Sequence, residues 1–121
     1  AMVLGCGNKS EAAMGYCTLY GDTCGAVMPL GDLYKTEVYK MAELYPAIPQ
    51  GIIIRAPSAE LSPNQRDSDS LPEYAVSDPI LQKIESGALD ENEQMAEIRQ
   101  KYKAMAFKRD QMPPVLKTRE R

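Results

Sequence analysis

The residues best suited to chemistry lie in the glycine-rich segment 5–11, which reads Gly-Cys-Gly-Asn-Lys-Ser-Glu. Val3 and Leu4 precede it, and Asn8 and Ser10 open a helical pattern. A short apolar lead, a glycine turn and a capped helix bring backbone N–H groups and the positive end of a helix dipole to one point, where they can bind an anion. An ordinary loop before a helix has the same local pattern. The segment is not a Walker A loop, because Asn8 stands where that motif requires glycine before Lys-Ser.

A second candidate is Lys35, which lies in the first turn of the best helix pattern of the first half of the chain. We predict that Asp32 caps this helix and that Pro46 ends it. Its apolar face consists of Tyr34, Val38, Met41, Ala42 and Tyr45. A lysine in the first turn opposes the helix dipole, so helix propensity does not explain it. Lys35 is therefore either an exposed surface residue or an ammonium group at a helix N-terminus that attracts phosphate.

The remaining elements of the first half are shorter. We predict a helix from Ser10, as its cap, to about Leu19, ended by Gly21-Asp22, and a strand or extended turn over residues 24–28. Residues 49–54 form either a short helix or a buried strand, because three isoleucines in a row are ambiguous. Residues 56–75 are rich in proline and serine, which indicates either a plain surface loop or a mobile lid over a nucleotide site.

Two helices are predicted in the second half. The first begins at Asp78-Pro79 and ends at Gly87, and the second begins at Asp90, with Glu93 three residues later as in a capping box. The second helix carries an apolar stripe, which indicates core or partner contact rather than a cofactor site. The stripe consists of Met95, Ile98, Tyr102 and Met105.

The composition restricts the class of protein. With 121 residues, 44% of them hydrophobic and 26% charged, the chain has the size and balance of one soluble globular domain. It has no apolar run long enough for a membrane helix and no signal-peptide pattern. Three cysteines without metal spacing indicate reduced thiols in a cytoplasmic protein, and the absence of histidine excludes histidine-based triads on this chain.

The charges are distributed unevenly. Residues 57–97 hold two basic and ten acidic side chains, whereas residues 98–121 hold eight basic and two acidic ones. The basic end is either a solvated surface or partly a phosphate-facing one. Aromatic residues do not alternate with these charges, so nucleic acid is a poor candidate for a partner.

Motifs in a fixed order along most of the chain resemble the synthetase domain of NAD synthetase. They include the segment 5–11 and the later segments 15–16, 20–22, 30–36, 57–61, 63–65, 67–72, 108–109 and 113–114. The Pro-Asn-Gln and Asp-Ser-Asp-Ser-Leu-Pro segments at 63–65 and 67–72 resemble the bacterial glutamine-dependent branch in particular.

The resemblance implies an α/β fold: part of a doubly wound, parallel-sheet nucleotide-binding domain of the adenine nucleotide hydrolase-like class. Residues 1–121 would be a C-terminal portion of that domain, mostly helical with one or two short strands. The Ser-Gly-Gly-x-Asp-Ser phosphate loop of the family and its amidase domain do not occur in these residues. We therefore expect the chain to be inactive alone.

The resemblance also implies a reaction and its participants. ATP would adenylate the nicotinate carboxylate of deamido-NAD, and ammonia from an amidase domain would displace AMP to give NAD. By position, Cys6, Lys35 and Ser58 would bind ATP, whereas Glu11 and Lys108 would bind deamido-NAD. Glu11 would also be the residue linked to Mg²⁺, and no protein nucleophile is implied. The family further implies a homo-oligomer.

Some positions depart from the family pattern. Cys6 replaces a common threonine that contacts ATP, so a hydroxyl hydrogen bond is lost or replaced by a weaker thiol. Leu19 and Ala26 replace polar residues that the ammonia-dependent branch uses for deamido-NAD, and Phe107 replaces a histidine. These departures favour the glutamine-dependent branch. The alternative function is a non-catalytic interaction module that dimerises through the apolar stripe of its last helix.

Overall fold

A computed structural model describes residues 1–87 and 92–118 of the chain. Helices dominate these two ranges, as expected from the sequence. They are α1 (Lys9–Met14), α2 (Lys35–Glu43), α3 (Gln50–Ile53), α4 (Tyr74–Glu85), α5 (Glu93–Ala104) and α6 (Ala106–Arg109), with a 3-10 turn at Asp67–Asp69. None of the described helices is both long and apolar enough to cross a membrane.

Three short segments, 3–5, 26–28 and 114–116, lie parallel to one another. Leu4 forms a parallel bridge with Val27, and Met28 forms another with Val115. The Gly5 N–H donates to the Val27 carbonyl over 2.9 Å, and the Leu116 N–H donates to the Met28 carbonyl over 3.2 Å. Within the described ranges, strand structure is limited to these bridges. Parallel pairing beside helices is the pattern of an α/β fold, which agrees with the expected class.

The first helix is shorter than predicted. Asn8, not Ser10, caps α1: its side chain accepts the Glu11 N–H, and the Glu11 carboxylate accepts the Asn8 N–H. The helix ends at Gly15 rather than at Gly21-Asp22. Gly15 has φ of 66°, and a Cβ atom there would lie 2.4 Å from Cγ of Met105. Only glycine combines this left-handed conformation with so close a neighbour.

The predicted cap of α2 was wrong. The helix begins at Lys35 after Tyr34, and the Glu37 carboxylate accepts the Tyr34 N–H over 2.9 Å. Asp32 instead binds the C-terminal segment: its Oδ2 accepts the Thr118 N–H over 3.0 Å and the Thr118 hydroxyl over 3.2 Å. Lys117 Nζ lies 3.8 Å from Asp32 Oδ1. A carboxylate before a helix was thus used for a long-range contact that local sequence does not reveal.

The starts of α4 and α5 also differ from the prediction. α4 begins at Tyr74 and holds Pro79 inside it rather than in its first turn. α5 begins at Glu93, and the Asn92 side chain accepts the Met95 N–H over 2.8 Å. The predicted start at Asp90 lies outside the described residues. Residues 50–53 are helical, which excludes the strand alternative.

The core lies where α1, α4 and α5 pack together. Its buried members are Ala13, Met14, Tyr34, Leu71, Tyr74, Leu81 and Ile98. Met95 and Ile98 of α5 are 3% and 2% exposed, and Tyr102 packs against the same cluster. For Met95, Ile98 and Tyr102, the predicted apolar stripe on α5 is therefore confirmed as core. The interaction-module hypothesis stays a prediction, although Met95 and Ile98 are buried within this chain.

We predict that Asp32 makes stability depend on pH. Burial alone would raise the pKa of Asp32, but the hydrogen bonds from Thr118 and the charges of Lys117 and Lys9 hold it below its ordinary value. The ionised carboxylate therefore stabilises the fold above the unfolded pKa of about 3.9, and this contribution is lost as pH falls through the folded pKa.

Asp32→Asn should lower the free energy of unfolding at pH 7 by about 1 kcal/mol. The difference from the wild type should shrink below about pH 4. Urea unfolding between pH 2 and pH 7 measures this, with the exposed Asp110→Asn as a control. An Asp32→Asn effect of equal size at pH 2 and pH 7 would contradict the assignment.

Candidate functional site

Two of the predicted site residues lie side by side. Lys35 Nζ, on α2, is 3.2 Å from Glu11 Oε1, on α1. Both side chains are about one-fifth exposed, at 19% and 21%. The second oxygen of Glu11 accepts the Asn8 N–H over 3.0 Å, so the capping box fixes the carboxylate that faces the lysine. The structure thus joins the residue implied for the metal to one implied for ATP.

A buried carboxylate that sequence reasoning missed holds these two helices together. Asp78 of α4 is fully buried. Its Oδ1 accepts the Ser10 hydroxyl over 2.6 Å, and its Oδ2 accepts the Thr36 N–H over 2.9 Å and the Thr36 hydroxyl over 2.8 Å. The Ser10 oxygen in turn accepts the Lys35 N–H over 2.8 Å. The Asp-Pro pair was interpreted as a local helix start, and that interpretation hid these contacts.

These bonds determine which groups of α2 remain for a ligand. The Lys35 and Thr36 N–H groups donate to Ser10 and Asp78, and the next two donate to the Tyr34 carbonyl. The positive end of the helix dipole therefore faces a carboxylate of the protein itself. The predicted attraction of phosphate by backbone N–H groups does not apply to α2 in this arrangement. The Lys35 side chain is the group that remains.

The N-terminus of α1 is used in a similar way. The Lys9 N–H donates to the Leu33 carbonyl over 2.8 Å, and the Glu11 N–H donates to Asn8 Oδ1 over 3.0 Å. The glycine-rich segment 5–11 thus folds as a turn whose first helical donors are partly satisfied inside the protein. The charged group of this segment that lies beside Lys35 is the Glu11 carboxylate.

Lys35 and Ser58 line one cleft, although 23 positions separate them in the sequence. The cleft has a volume of about 330 Å³ and lies between α2, α3 and the segment that follows α3. Its other lining residues are Val38, Tyr39, Ala42, Ile52, Ile53, Arg55, Ala56, Pro57 and Glu60. The described site residues Cys6, Glu11 and Lys108 are not part of this lining. The wall is therefore apolar for much of its extent, and its charged groups are Lys35 and the Arg55–Glu60 ion pair.

Two tyrosine rings border the Lys35 ammonium group. Nζ lies 5.8 Å from the Tyr39 ring centre and 5.7 Å from that of Tyr74, within cation–π range. Burial and the hydrogen bond to Asp67 raise the pKa of Tyr74 far above its ordinary value. Its phenol group therefore keeps its proton and donates to Asp67 Oδ2 over 2.8 Å.

The predicted lid, residues 56–75, is partly built into the fold. The Asp67 N–H donates to the Pro57 carbonyl over 2.9 Å and closes the base of the loop. Beyond it, Asp67, Leu71 and Tyr74 are buried. The loop that this hydrogen bond closes is thus 58–66, which includes Ser58. Movement of this segment stays a prediction.

The two remaining site residues lie elsewhere. Cys6 is an exposed free thiol in the turn before α1. Lys108 Nζ donates to the Gly15 carbonyl over 2.8 Å and to the Cys17 carbonyl over 2.6 Å. Its neighbour Arg109 donates to the Ala13 carbonyl over 3.0 Å. These cations of α6 satisfy carbonyls at the C-terminal end of α1, a position that the helix dipole favours.

Two carboxylates of the described residues lie at or beside the cleft: Glu11 next to Lys35, and Glu60 in the cleft lining, where it pairs with Arg55. Among the described residues, no group of three or more acidic, cysteine or histidine side chains could hold a metal. Glu11 can supply one oxygen ligand. Mg²⁺ often binds through one or two carboxylates plus substrate phosphates and water, and Glu11 fits that mode.

Comparisons with known proteins identify the family of this chain. The NAD synthase family model matches residues 1–113. A glutamine-dependent NAD(+) synthetase of Xanthomonas campestris is 56% identical over 86 residues, which cover 66% of this chain and 16% of that protein. An NH(3)-dependent NAD(+) synthetase of Archaeoglobus fulgidus is 42% identical over 120 residues, which cover 98% of this chain and 48% of that protein.

The fold of this chain is also similar to that of a solved structure. NMN synthetase from Francisella tularensis superposes with a TM-score of 0.70 at 30% identity, over 89% of this chain and 44% of that one. The chain therefore spans less than half the length of each of these three proteins. The likeness covers all the predicted site residues from Cys6 to Lys108, because the family model extends through residue 113.

We predict that Lys108 contributes to stability without any ligand. Lys108→Met should lower the free energy of unfolding by about 1–2 kcal/mol, because two carbonyls lose a charged donor. The matched control is Lys103→Met, on the exposed side of α5, which should change stability by less than about 0.5 kcal/mol. Denaturant unfolding measures both. Equal, small effects of the two substitutions would show that the α1 contact is energetically unimportant.

Proposed function

The chain belongs to the NAD synthase family, and from that premise we propose that it forms part of an enzyme that converts deamido-NAD into NAD at the expense of ATP. The observation that carries the proposal is the shared cleft of Lys35 and Ser58, with Glu11 beside Lys35. Residues implied for phosphate binding thus meet at one place, although the sequence separates them.

The proposed reaction has two steps. The nicotinate carboxylate of deamido-NAD attacks the α-phosphorus of ATP, pyrophosphate leaves, and an acyl adenylate forms. Ammonia then attacks the acyl carbon, AMP leaves with the bonding electron pair, and a proton from ammonia is released to give the amide. These steps require neutralisation of phosphate charge and exclusion of water more than a protein nucleophile.

Lys35 is proposed to bind the ATP phosphates by exchanging partners. In the ligand-free chain its ammonium group lies on Glu11. Phosphate oxygens in the cleft would compete for this ammonium group, and the Glu11 carboxylate, no longer paired with Lys35, would be available to hold a magnesium ion. Bound Mg²⁺ would supply charge neutralisation for the departing pyrophosphate. Ser58 is proposed as a second phosphate contact, from the opposite side of the cleft.

Cys6 and Lys108 are proposed to make further contacts with the two substrates. Cys6 is exposed in the turn next to α1 and is proposed to lie against ATP. Lys108 is proposed to contact deamido-NAD, which requires it to share or leave the carbonyls of Gly15 and Cys17. We also propose that ammonia comes from glutamine through an amidase domain, as the 56% identity to a glutamine-dependent relative favours.

Two further parts of the proposal concern the setting of the reaction. A homo-oligomer and a cytoplasmic location are proposed from the family resemblance, with the three free thiols in support of the location. A second candidate product is NMN, because one solved structure that resembles this chain is an NMN synthetase. The higher identity to NAD(+) synthetases favours NAD.

We predict NAD formation when this chain is combined with the upstream half of the synthetase domain of the Xanthomonas relative. The mixture is given deamido-NAD, ATP, Mg²⁺ and ammonium, and NAD is measured by a coupled dehydrogenase. Lys35→Ala should reduce the rate at least about 100-fold, the scale of a lost phosphate-stabilising charge. The exposed Lys40→Ala, one turn along α2, is the matched control.

The controls separate several outcomes. Activity that depends on both halves and on Lys35 supports the proposal. Association of folded halves without NAD formation would contradict it. Replacement of deamido-NAD by its mononucleotide counterpart tests the second candidate, since faster NMN formation would favour that product.

We predict opposite effects of Glu11→Gln on nucleotide binding with and without magnesium. Loss of the Glu11 charge frees the Lys35 ammonium group, so metal-free ATP should bind about two- to five-fold more tightly to the chain, the scale of a partly exposed ion pair. Mg-ATP should bind more weakly, because the metal loses a ligand. Isothermal titration with and without EDTA measures both constants. A shift in the same direction under both conditions would contradict the exchange of partners.

A further inference from the structure

We infer that Asp78 is a positioning residue for the nucleotide site: it fixes the backbone of Lys35 relative to Glu11 and thereby aims the Lys35 ammonium group at the cleft. This inference rests on the proposed function. Asp78 itself touches no substrate in the proposal, since it is fully buried and lies on α4 behind the first turn of α2.

Asp78 holds the first turn of α2. The two N–H groups at its start, those of Lys35 and Thr36, are both held through Asp78. One donates to Asp78 directly, and the other donates to the Ser10 hydroxyl that Asp78 orients. Because a hydroxyl has one hydrogen, donation to Asp78 leaves its oxygen lone pairs to accept the Lys35 N–H. Asp78 therefore determines the direction of the Ser10 bond.

The same contacts fix the distance between α1 and α2. Ser10 and Glu11 are consecutive on α1, and Lys35 and Thr36 are consecutive on α2. Ser10 meets the Lys35 backbone over 2.8 Å, and Glu11 meets the Lys35 side chain over 3.2 Å. Asp78 thus fixes the Lys35 backbone through Ser10. It also positions the Lys35 side chain indirectly, because Glu11, which contacts that side chain, is the residue next to Ser10 on α1.

The negative charge of Asp78 lies at the N-terminal end of α2. The three donors that Asp78 accepts are uncharged, and its negative charge is compensated by the positive end of the α2 dipole. A phosphate would otherwise be attracted to that helix end. Asp78 therefore has two effects. It engages the first N–H groups of α2, directly and through Ser10, and it leaves the Lys35 side chain as the group of α2 that can bind phosphate. This arrangement places an incoming phosphate in the cleft rather than on the helix axis.

The test weakens the Asp78 network without removing the buried charge, since Asp78→Asn endangers folding. Thr36→Val removes one donor at nearly constant volume, and Thr36→Ser retains the hydroxyl. Ser77→Ala is the matched control: Ser77 is 1% exposed, neighbours Asp78, and has a hydroxyl without a hydrogen-bond partner in the described part of the chain. Lys35→Ala tests the proposed function separately. All are made in the full chain.

The measured quantities are the dissociation constants of Mg-ATP and deamido-NAD and the midpoint of thermal unfolding. We expect Thr36→Val to weaken Mg-ATP binding about five-fold, the equivalent of about one hydrogen bond, without a change for deamido-NAD. Thr36→Ser should restore wild-type affinity, and Ser77→Ala should leave both constants unchanged.

Each outcome decides a different point. A lower unfolding midpoint for Thr36→Val with unchanged Mg-ATP affinity, while Lys35→Ala weakens binding, would overturn the positioning role and leave the proposed function intact. Equal weakening for both ligands would also overturn it, because a general loss of structure explains that result. No effect of Lys35→Ala, or no Mg-ATP binding by the wild-type chain combined with the upstream half of the domain, would overturn the proposed function and this inference with it.

Discussion

The structure depends on one buried carboxylate. Asp78 of α4 accepts hydrogen bonds from α1 and from the first turn of α2, so three helices meet at a single charged group that is closed to water. A buried charge is costly unless it is well hydrogen-bonded, and here three donors and a helix dipole provide for it. The helices therefore have little freedom to separate, and the side chains at their starts, Glu11 and Lys35, are held within 3.2 Å.

This constraint explains why the site relies on side chains rather than on backbone amides. Many phosphate sites use the N–H groups of a helix start. In this chain those of α2 are engaged by Asp78, Ser10 and the Tyr34 carbonyl. A lysine on a flexible stem can change partners, whereas an engaged amide cannot do so without opening the helix. An ion pair that breaks when a more highly charged ligand arrives suits the proposed site, which would bind ATP and later release pyrophosphate.

The sequence was most informative where function restricts residue types. The motifs in segment 5–11 and around Lys35 and Ser58 indicated the family that the comparisons show, and the 3.6-residue period of α5 identified part of the core. Lys35 and Ser58 line one cleft, whereas Cys6 and Glu11 do not. Prediction failed where distant contacts decide. Asp32 has the position of a helix cap but binds Thr118, and Asp78 has the pattern of a helix start but lies inside α4. Local rules cannot distinguish a carboxylate that caps its own helix from one that bonds a residue tens of positions away, because both satisfy the same donors.

We propose that phosphate takes the Lys35 ammonium group from Glu11 while the Asp78 contacts persist. A crystal structure of the chain, completed by its upstream half and soaked with Mg-ATP, would test this exchange. We expect a phosphate oxygen within hydrogen-bond distance of Lys35 Nζ, a longer separation of Lys35 from Glu11, and unchanged bonds from Ser10 and Thr36 to Asp78. A phosphate bound to the α2 amides with Asp78 displaced, or a nucleotide bound away from Lys35, would contradict it.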